Sequence, residues 1–332
     1  MSLSKHNWLR NAAAALSLLT VTGLSSLATA AKAAGLPQSN GIKVLRNIPY
    51  VEGGDPAQTL DLYLPEQTSA KPLPLLIWIH GGGWEAGSKD GCLFQFLVGQ
   101  GYAAASVEYR FSQKSLFPAQ IQDCQAAIRW LRANSKKYNF DPKQFGVGGD
   151  SAGGHLAALV GTSGGKKAFA PVGGNENQSD RVQAVLDLYG PADFNAVMSQ
   201  AAADPTKNAF NFNHGDPYSK LIGVDLGSDR TKGEAVSPVH YVSKDNPPFL
   251  ILHGTVDSLV PFAQSIELQS ALEKVHVSCL LQKFPGSGHG GPAFNYPAVH
   301  KLIQDFFDLH LRKIKVSVDL LSEDVVSPNA KQ

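Results

Sequence analysis

The chain alternates short, uninterrupted apolar runs with amphipathic stretches of helical period. Residues 73–80 and 102–109 are such runs. An apolar run without polar alternation predicts a strand covered on both faces. Behind Pro118, the residues Ile121, Cys124, Ile128 and Leu131 recur at spacings of three and four. That spacing predicts a helix over 118–138. The alternation continues. Strands are predicted over 144–149, 182–189, 248–253 and 277–284, and helices over 151–160, 260–275 and 297–312. Strands alternating with helices require a mostly parallel sheet with helices on both faces, an α/β architecture. Ahead of this unit, residues 42–51 and 59–64 alternate apolar and polar side chains. Glu52-Gly53-Gly54-Asp55-Pro56 lies between them, so an antiparallel hairpin is expected.

Composition removes other classes. With 332 residues and 43% hydrophobic content, the chain can bury a large core and is too apolar for disorder. A formal net charge of +1 gives no bulk attraction to nucleic acid or anionic membrane. Three cysteines exclude a disulfide scaffold and a cysteine-rich zinc domain. Lys5, His6 and Arg10 precede an apolar stretch over 12–27, followed by Ala28-Thr29-Ala30 and Ala31-Lys32-Ala33. This pattern predicts a cleaved signal peptide over 1–33, hence a secreted or periplasmic protein without a membrane anchor. Residues 34–313 are expected to form one domain. Residues 190–238 break the alternation and read either as a lid or pocket insertion or as a passive surface excursion. The tail over 314–332 is expected to fray.

The densest chemical signal is Gly149-Asp150-Ser151-Ala152-Gly153, between a predicted strand and a predicted helix. A tight strand-to-helix turn lifts the serine hydroxyl out of the chain, and small neighbours permit the crowding. His80-Gly81-Gly82-Gly83-Trp84 follows another buried run. Glycines there can aim N–H groups at the oxyanion of a tetrahedral intermediate, so Gly82, Gly83 and Ala152 are the candidate donors. His80 is expected to brace this loop. Serine needs a histidine base oriented by a carboxylate. His289, in Pro-Gly-Ser-Gly-His-Gly-Gly (285–291) after a late strand, is the candidate base. His155 lies one helical turn after the serine and points along its helix. Asp257, in His-Gly-Thr-Val-Asp (253–257), is the candidate acid, ahead of Asp193.

Further motifs carry a resemblance. Asp-Leu-Tyr-Leu-Pro (61–65), Glu-Tyr-Arg (108–110), Phe-Pro-Ala-Gln (117–120), Gly-Asp-Ser-Ala-Gly-Gly-His (149–155) and Gly-His-Gly-Gly (288–291) join the loop at 80–84. With them, residues 42–312 resemble an α/β-hydrolase of the carboxylesterase type, closest to the bifunctional acetylxylan/feruloyl esterases and near the hormone-sensitive-lipase-like esterases. The order Ser151, Asp257, His289 is the one expected in that fold. The resemblance implies an α/β-hydrolase with a short lid, hydrolysing acetyl or feruloyl esters of plant cell-wall polysaccharide without metal or cofactor. A generic short-chain carboxylesterase and an arylformamidase-like amidase are the alternatives; a binding protein on a hydrolase fold is the remote one. Trp84 either lines the acyl pocket or packs in the core. Phe194, Phe210, Phe212 and Tyr218 form either an aromatic wall for the acyl group or the insertion's own core. Phe294 and Tyr296 carry the same two readings. Cys92 and Cys124, expected on one side of the sheet, either bridge or stay reduced.

Overall fold

The structure, a computed structural model, describes residues 41–67, 69–203 and 215–326. The expected signal peptide, Phe210 and Phe212 lie outside the described residues.

Eight strands form one sheet in the order β1-β2-β4-β3-β5-β6-β7-β8. β1 (Ile42–Pro49) and β2 (Thr59–Pro65) make the expected antiparallel hairpin, and β2 also runs antiparallel to β4 (Ala103–Val107). β3 (Leu73–Ile79), β5 (Phe140–Asp150), β6 (Ala184–Leu188), β7 (Phe249–Gly254) and β8 (Cys279–Phe284) are parallel neighbours of one another or of β4. β5 begins four residues before its predicted start, because the ladder with β3 reaches back to Phe140.

The continuous apolarity of β3 has a direct cause. Leu75, Ile77 and Ile79 pack into one core cluster, while Leu76 and Trp78 pack into a second on the opposite face. The first is covered by α1 (Ala119–Ala133), α2 (Ala152–Ser163), α3 (Phe194–Ala203), α4 (Pro217–Ile222), α5 (Arg230–Val236) and α6 (Ala263–Lys274). The second is covered by a short turn of helix at Leu93–Leu97 and by α7 (Pro297–Phe307).

Two expectations are corrected. Cys92 and Cys124 do not share a side of the sheet: Cys92 packs in the second cluster, Cys124 in the first, and both are free. The sheet itself stands between their thiols. The tail does not fray over its described part. Val318, Leu321 and Val325 pack on the second cluster, Val326 is fully buried, and Gln282 of β8 exchanges two hydrogen bonds with the Leu321 backbone.

Because β3, β5, β6, β7 and β8 are parallel, their C-terminal ends share one edge. The loops leaving that edge carry residues 80–84, 150–152, 189–193, 255–260 and 285–291, so every candidate catalytic side chain starts from one end of the sheet.

Candidate active site

Ser151 sits at the turn between β5 and α2 with φ 54 and ψ −120. A side chain in this region is strained and persists only where surrounding structure holds it. Here the Ser151 N–H donates to Leu188 O at 2.8 Å and Ser151 O accepts from the His155 N–H at 3.0 Å. The flanking glycines are required by contact. A Cβ on Gly153 would lie 2.1 Å from Ile79 O, and one on Gly149 would lie 2.3 Å from Gly153 O.

The three predicted side chains meet. His289 Nε2 lies 2.8 Å from Ser151 Oγ, and His289 Nδ1 lies 2.7 Å from Asp257 Oδ2. Asp257 is 4% exposed. Its Oδ1 accepts the backbone N–H groups of Leu259 and Val260 at 2.8 and 2.9 Å. A second histidine, which the sequence reading passed over, reaches the same carboxylate: His253 Nε2 is 3.2 Å from Asp257 Oδ2. That nitrogen also faces Val260 O at 3.1 Å, so it carries the hydrogen, and Nδ1 takes the Ser265 hydroxyl at 2.6 Å. Burial alone would raise the Asp257 pKa; hydrogen bonds and charge from His253 and His289 outweigh it and hold the carboxyl well below the ordinary carboxylate range. The runner-up acid, Asp193, is elsewhere: its carboxylate caps α3 through the N–H groups of Asn195 and Ala196.

The glycine loop is fixed from below. The Gly81 N–H donates to Asp150 Oδ1 at 3.0 Å, tying the loop to the serine turn. His80 braces it as expected, with Nδ1 2.8 Å from Gly81 O and Nε2 2.9 Å from Glu108 Oε1, and Tyr109 stacks on the ring. Gly82 has φ +110, and a Cβ there would fall 2.1 Å from Ala86 O. Gly82, Gly83 and Ala152 line the same cavity of about 370 Å³ as Ser151 and His289. Burial raises the Asp150 pKa, while the Gly81 N–H and the His80 and His289 charges oppose it.

Trp84, 2% exposed, packs in the first core cluster and also lines this cavity. Its indole N–H donates to His155 Nδ1 at 3.1 Å, and His155 Nε2 lies 2.7 Å from Val236 O, the last residue of α5. Burial pushes the His155 imidazole down to about 4, so it is neutral and can accept that indole hydrogen. The insertion therefore is no passive excursion: it supplies Pro191, Pro217 and Tyr218 to the cavity wall. Phe194 is a correction. It is fully buried behind Trp84, His155 and Tyr218, with ring centroids 5.0–5.6 Å away, and does not line the cavity. An apolar residue at the buried face of a helix looks the same in sequence as one aimed at a ligand.

The BD-FAE family model matches residues 60–272. The chain belongs to the BD-FAE family. Among curated relatives, this BD-FAE chain is 32% identical over 249 residues to "Esterase LipC" of Mycobacterium tuberculosis, covering 72% of the chain and 58% of that relative. It is 32% identical over 237 residues to "Probable carboxylic ester hydrolase LipM" of the same organism, covering 69% and 52%. The chain thus spans about half the length of the curated relatives it matches. Among solved structures, a "Truncated form of carbohydrate esterase from gut microbiota" has a TM-score of 0.75 at 30% identity, covering 84% of this chain and 99% of that one. The "acetyl ester-xyloside bifunctional hydrolase from Caldicellulosiruptor lactoaceticus" has a TM-score of 0.60 at 31% identity, covering 80% and 94%. The BD-FAE chain has the α/β-hydrolase fold of these esterases. Among its described residues, no helix is long and apolar enough to cross a membrane.

Proposed function

We propose that the protein hydrolyses carboxylic esters through an acyl-enzyme on Ser151, with short acyl esters of plant cell-wall carbohydrate, acetyl before feruloyl, as its substrates. The observation that carries this is the hydrogen-bonded run Ser151–His289–Asp257 opening onto Gly82, Gly83 and Ala152. In the reaction, His289 Nε2 takes the Ser151 proton as Oγ bonds to the ester carbonyl carbon. The carbonyl oxygen gains the charge, and the N–H groups of Gly82, Gly83 and Ala152 stabilise it. The intermediate expels the alcohol oxygen, which receives the proton from His289. Water then repeats the sequence and frees the acid. Asp257 stays ionised, fixes the imidazole orientation and stabilises its charged form.

Three considerations favour a small acyl group on a sugar. The catalytic cavity is near the lower end of small-molecule pockets. With Phe194 in the core, the aromatic residues lining the cavity among the described residues are Trp84 and Tyr218. Two similar structures bear names of carbohydrate or acetyl ester-xyloside hydrolases. The test is the initial rate on methyl ferulate against p-nitrophenyl acetate, with Ser151→Ala as blank. Ferulate turnover far below acetate is expected; ferulate turnover equal to acetate would remove the preference for a small acyl group. Export through the segment 1–33 is part of the same proposal, and N-terminal sequencing of the secreted or periplasmic protein, expected to begin near Ala31 or Ala34, checks it.

A further inference from the structure

Along β6 the side chains alternate between the two faces of the sheet. Ala184, Leu186 and Leu188 pack in the second core cluster, and Val185 packs in the first. Asp187 lies on the first side too: a Cβ on Gly154 of α2 would fall 2.5 Å from its Oδ1. The pleat therefore sends the next side chain but one, Tyr189, to the first face. Tyr189 goes to the other. Its φ is 45, a left-handed conformation that a bulky residue keeps only where its surroundings impose it, and its ring packs on the second cluster, the side that Leu188 takes.

Three hydrogen bonds impose the turn. The Tyr189 N–H donates to Leu252 O at 2.9 Å, the Ser151 N–H donates to Leu188 O at 2.8 Å, and the Gly190 N–H donates to Asp187 Oδ1 at 2.9 Å. The reversal brings the ring to the catalytic base, with 4.6 Å between the Tyr189 and His289 ring centroids. The ring is backed in turn. Phe294 meets it edge-on at 5.1 Å and stacks at 4.1 Å on Phe284, the fully buried last residue of β8.

The His289 loop has little else to hold it. Four of the seven residues over 285–291 are glycine. The loop is tied at Gly286 and Ser287, through Thr255 Oγ1, Phe284 O and the Val256 N–H. Among the described residues, no backbone hydrogen bond engages 288–290. Asp257 holds the imidazole at Nδ1, and a single hydrogen bond leaves a ring free to swing about it. Among the described residues, Tyr189 is the one aromatic ring against His289. It also meets the loop backbone: a Cβ on Gly290 would lie 3.1 Å from Tyr189 Oη.

We propose that Tyr189 is a positioning residue for His289, aimed at the imidazole by its left-handed backbone, so that Leu188-Tyr189 keeps nucleophile and base in register. Leu188 O holds the Ser151 backbone, and the Tyr189 ring holds the imidazole. This rests on the esterase reading above. A reacting group misplaced by about 1 Å loses on the order of a hundredfold in rate. The ring carries the role, not the hydroxyl.

The test uses three variants. Tyr189→Phe keeps the ring, and Tyr189→Leu removes it. Tyr189→Gly also removes it but suits the left-handed backbone, so it supplies a folded comparison should the leucine variant not fold. Each is assayed for kcat and KM on p-nitrophenyl acetate, for the rate at which a fluorophosphonate labels Ser151, and for thermal unfolding. Tyr189→Leu and Tyr189→Gly are expected to lose roughly ten- to a hundredfold in kcat and a similar factor in labelling rate, while folded at the assay temperature and with KM within about twofold of the wild type. Tyr189→Phe is expected to keep kcat within about twofold. A glycine variant with wild-type kcat would overturn the proposal. So would a phenylalanine variant as slow as the leucine one. A raised KM at unchanged kcat would also overturn it, because the ring would then contact substrate rather than order the base. If the wild type itself neither cleaves an ester nor labels at Ser151, the esterase reading fails and the proposal with it.

Discussion

Two buried aspartates stand at the C-terminal ends of neighbouring strands, and their carboxyl pKa values are shifted in opposite directions. Asp257, after β7, is 4% exposed and strongly favours its charge. Asp187, in β6, is 1% exposed, and burial pushes its pKa up to about 7. Burial is nearly equal, so burial does not decide. Donors do. Asp257 receives two imidazoles on Oδ2 and two backbone N–H groups on Oδ1. Among the described residues, Asp187 receives only the Gly190 N–H on Oδ1, and its Oδ2 has no partner. A carboxylate deprived of water needs its acceptor sites filled to remain charged. The chain fills them where His289 needs a counter-charge and leaves them open one strand away.

The comparison can be broken first at its charged end. Asp257→Asn removes the charge and offers an amide to His289 Nδ1, favouring the wrong ring tautomer. A loss of about 10⁴-fold in kcat is expected, with the circular dichroism of the wild type retained. A loss under tenfold would show that the charge on Asp257 is dispensable.

Asp187 gives the next largest effect, on stability rather than rate. The native state binds the Asp187 proton more tightly than the unfolded chain, so its contribution is fully present below about pH 4 and is lost as pH rises to about 7. At most about 4 kcal/mol separates the two limits. Urea unfolding across this range should therefore show less of this decline in Asp187→Asn than in the wild type; an unchanged slope would place the titration elsewhere.

His253 sharpens the contrast, because it is the donor Asp187 lacks. A hydrogen bond to a charged group contributes about 1.5–3 kcal/mol, equal to roughly ten- to a hundredfold in rate where the transition state feels it. His253→Phe should lose that much kcat with KM little changed, and His253→Gln, which keeps a donor, should recover part of it. Equal losses in both variants would reduce His253 to packing.

The smallest effect lies at the cavity wall. Trp84→Phe keeps the ring but strips the donor from His155 Nδ1, leaving a buried acceptor unpaired at a cost of about 1–3 kcal/mol of stability. Equilibrium unfolding measures it, and no change would mean that the His155 network does not hold Trp84.

The same contrast marks what the sequence made legible. The alternation of strands and helices and the Ser151, Asp257 and His289 loops could be read because continuous apolar runs and glycine turns have strong local signatures. His253 was hidden because it ends a buried run and reads as one more strand residue; its spacing of four from Asp257 became meaningful only once the loop turned back on β7. Phe194 and the two cysteines failed for a related reason. Which face a buried side chain takes depends on packing from distant parts of the chain, and local pattern does not carry that. The tail looked polar because its docking uses a few spaced valines and leucines and one glutamine exchange.

The central claim is that Ser151, activated by His289 and Asp257, carries the acyl group. Rapid-quench reaction with p-nitrophenyl acetate, followed by peptide mass mapping, tests it directly. An acetyl group is expected on the peptide containing Ser151, with Ser151→Ala losing the adduct and on the order of 10⁶ in rate. An adduct on another residue, or turnover surviving in Ser151→Ala, would contradict it.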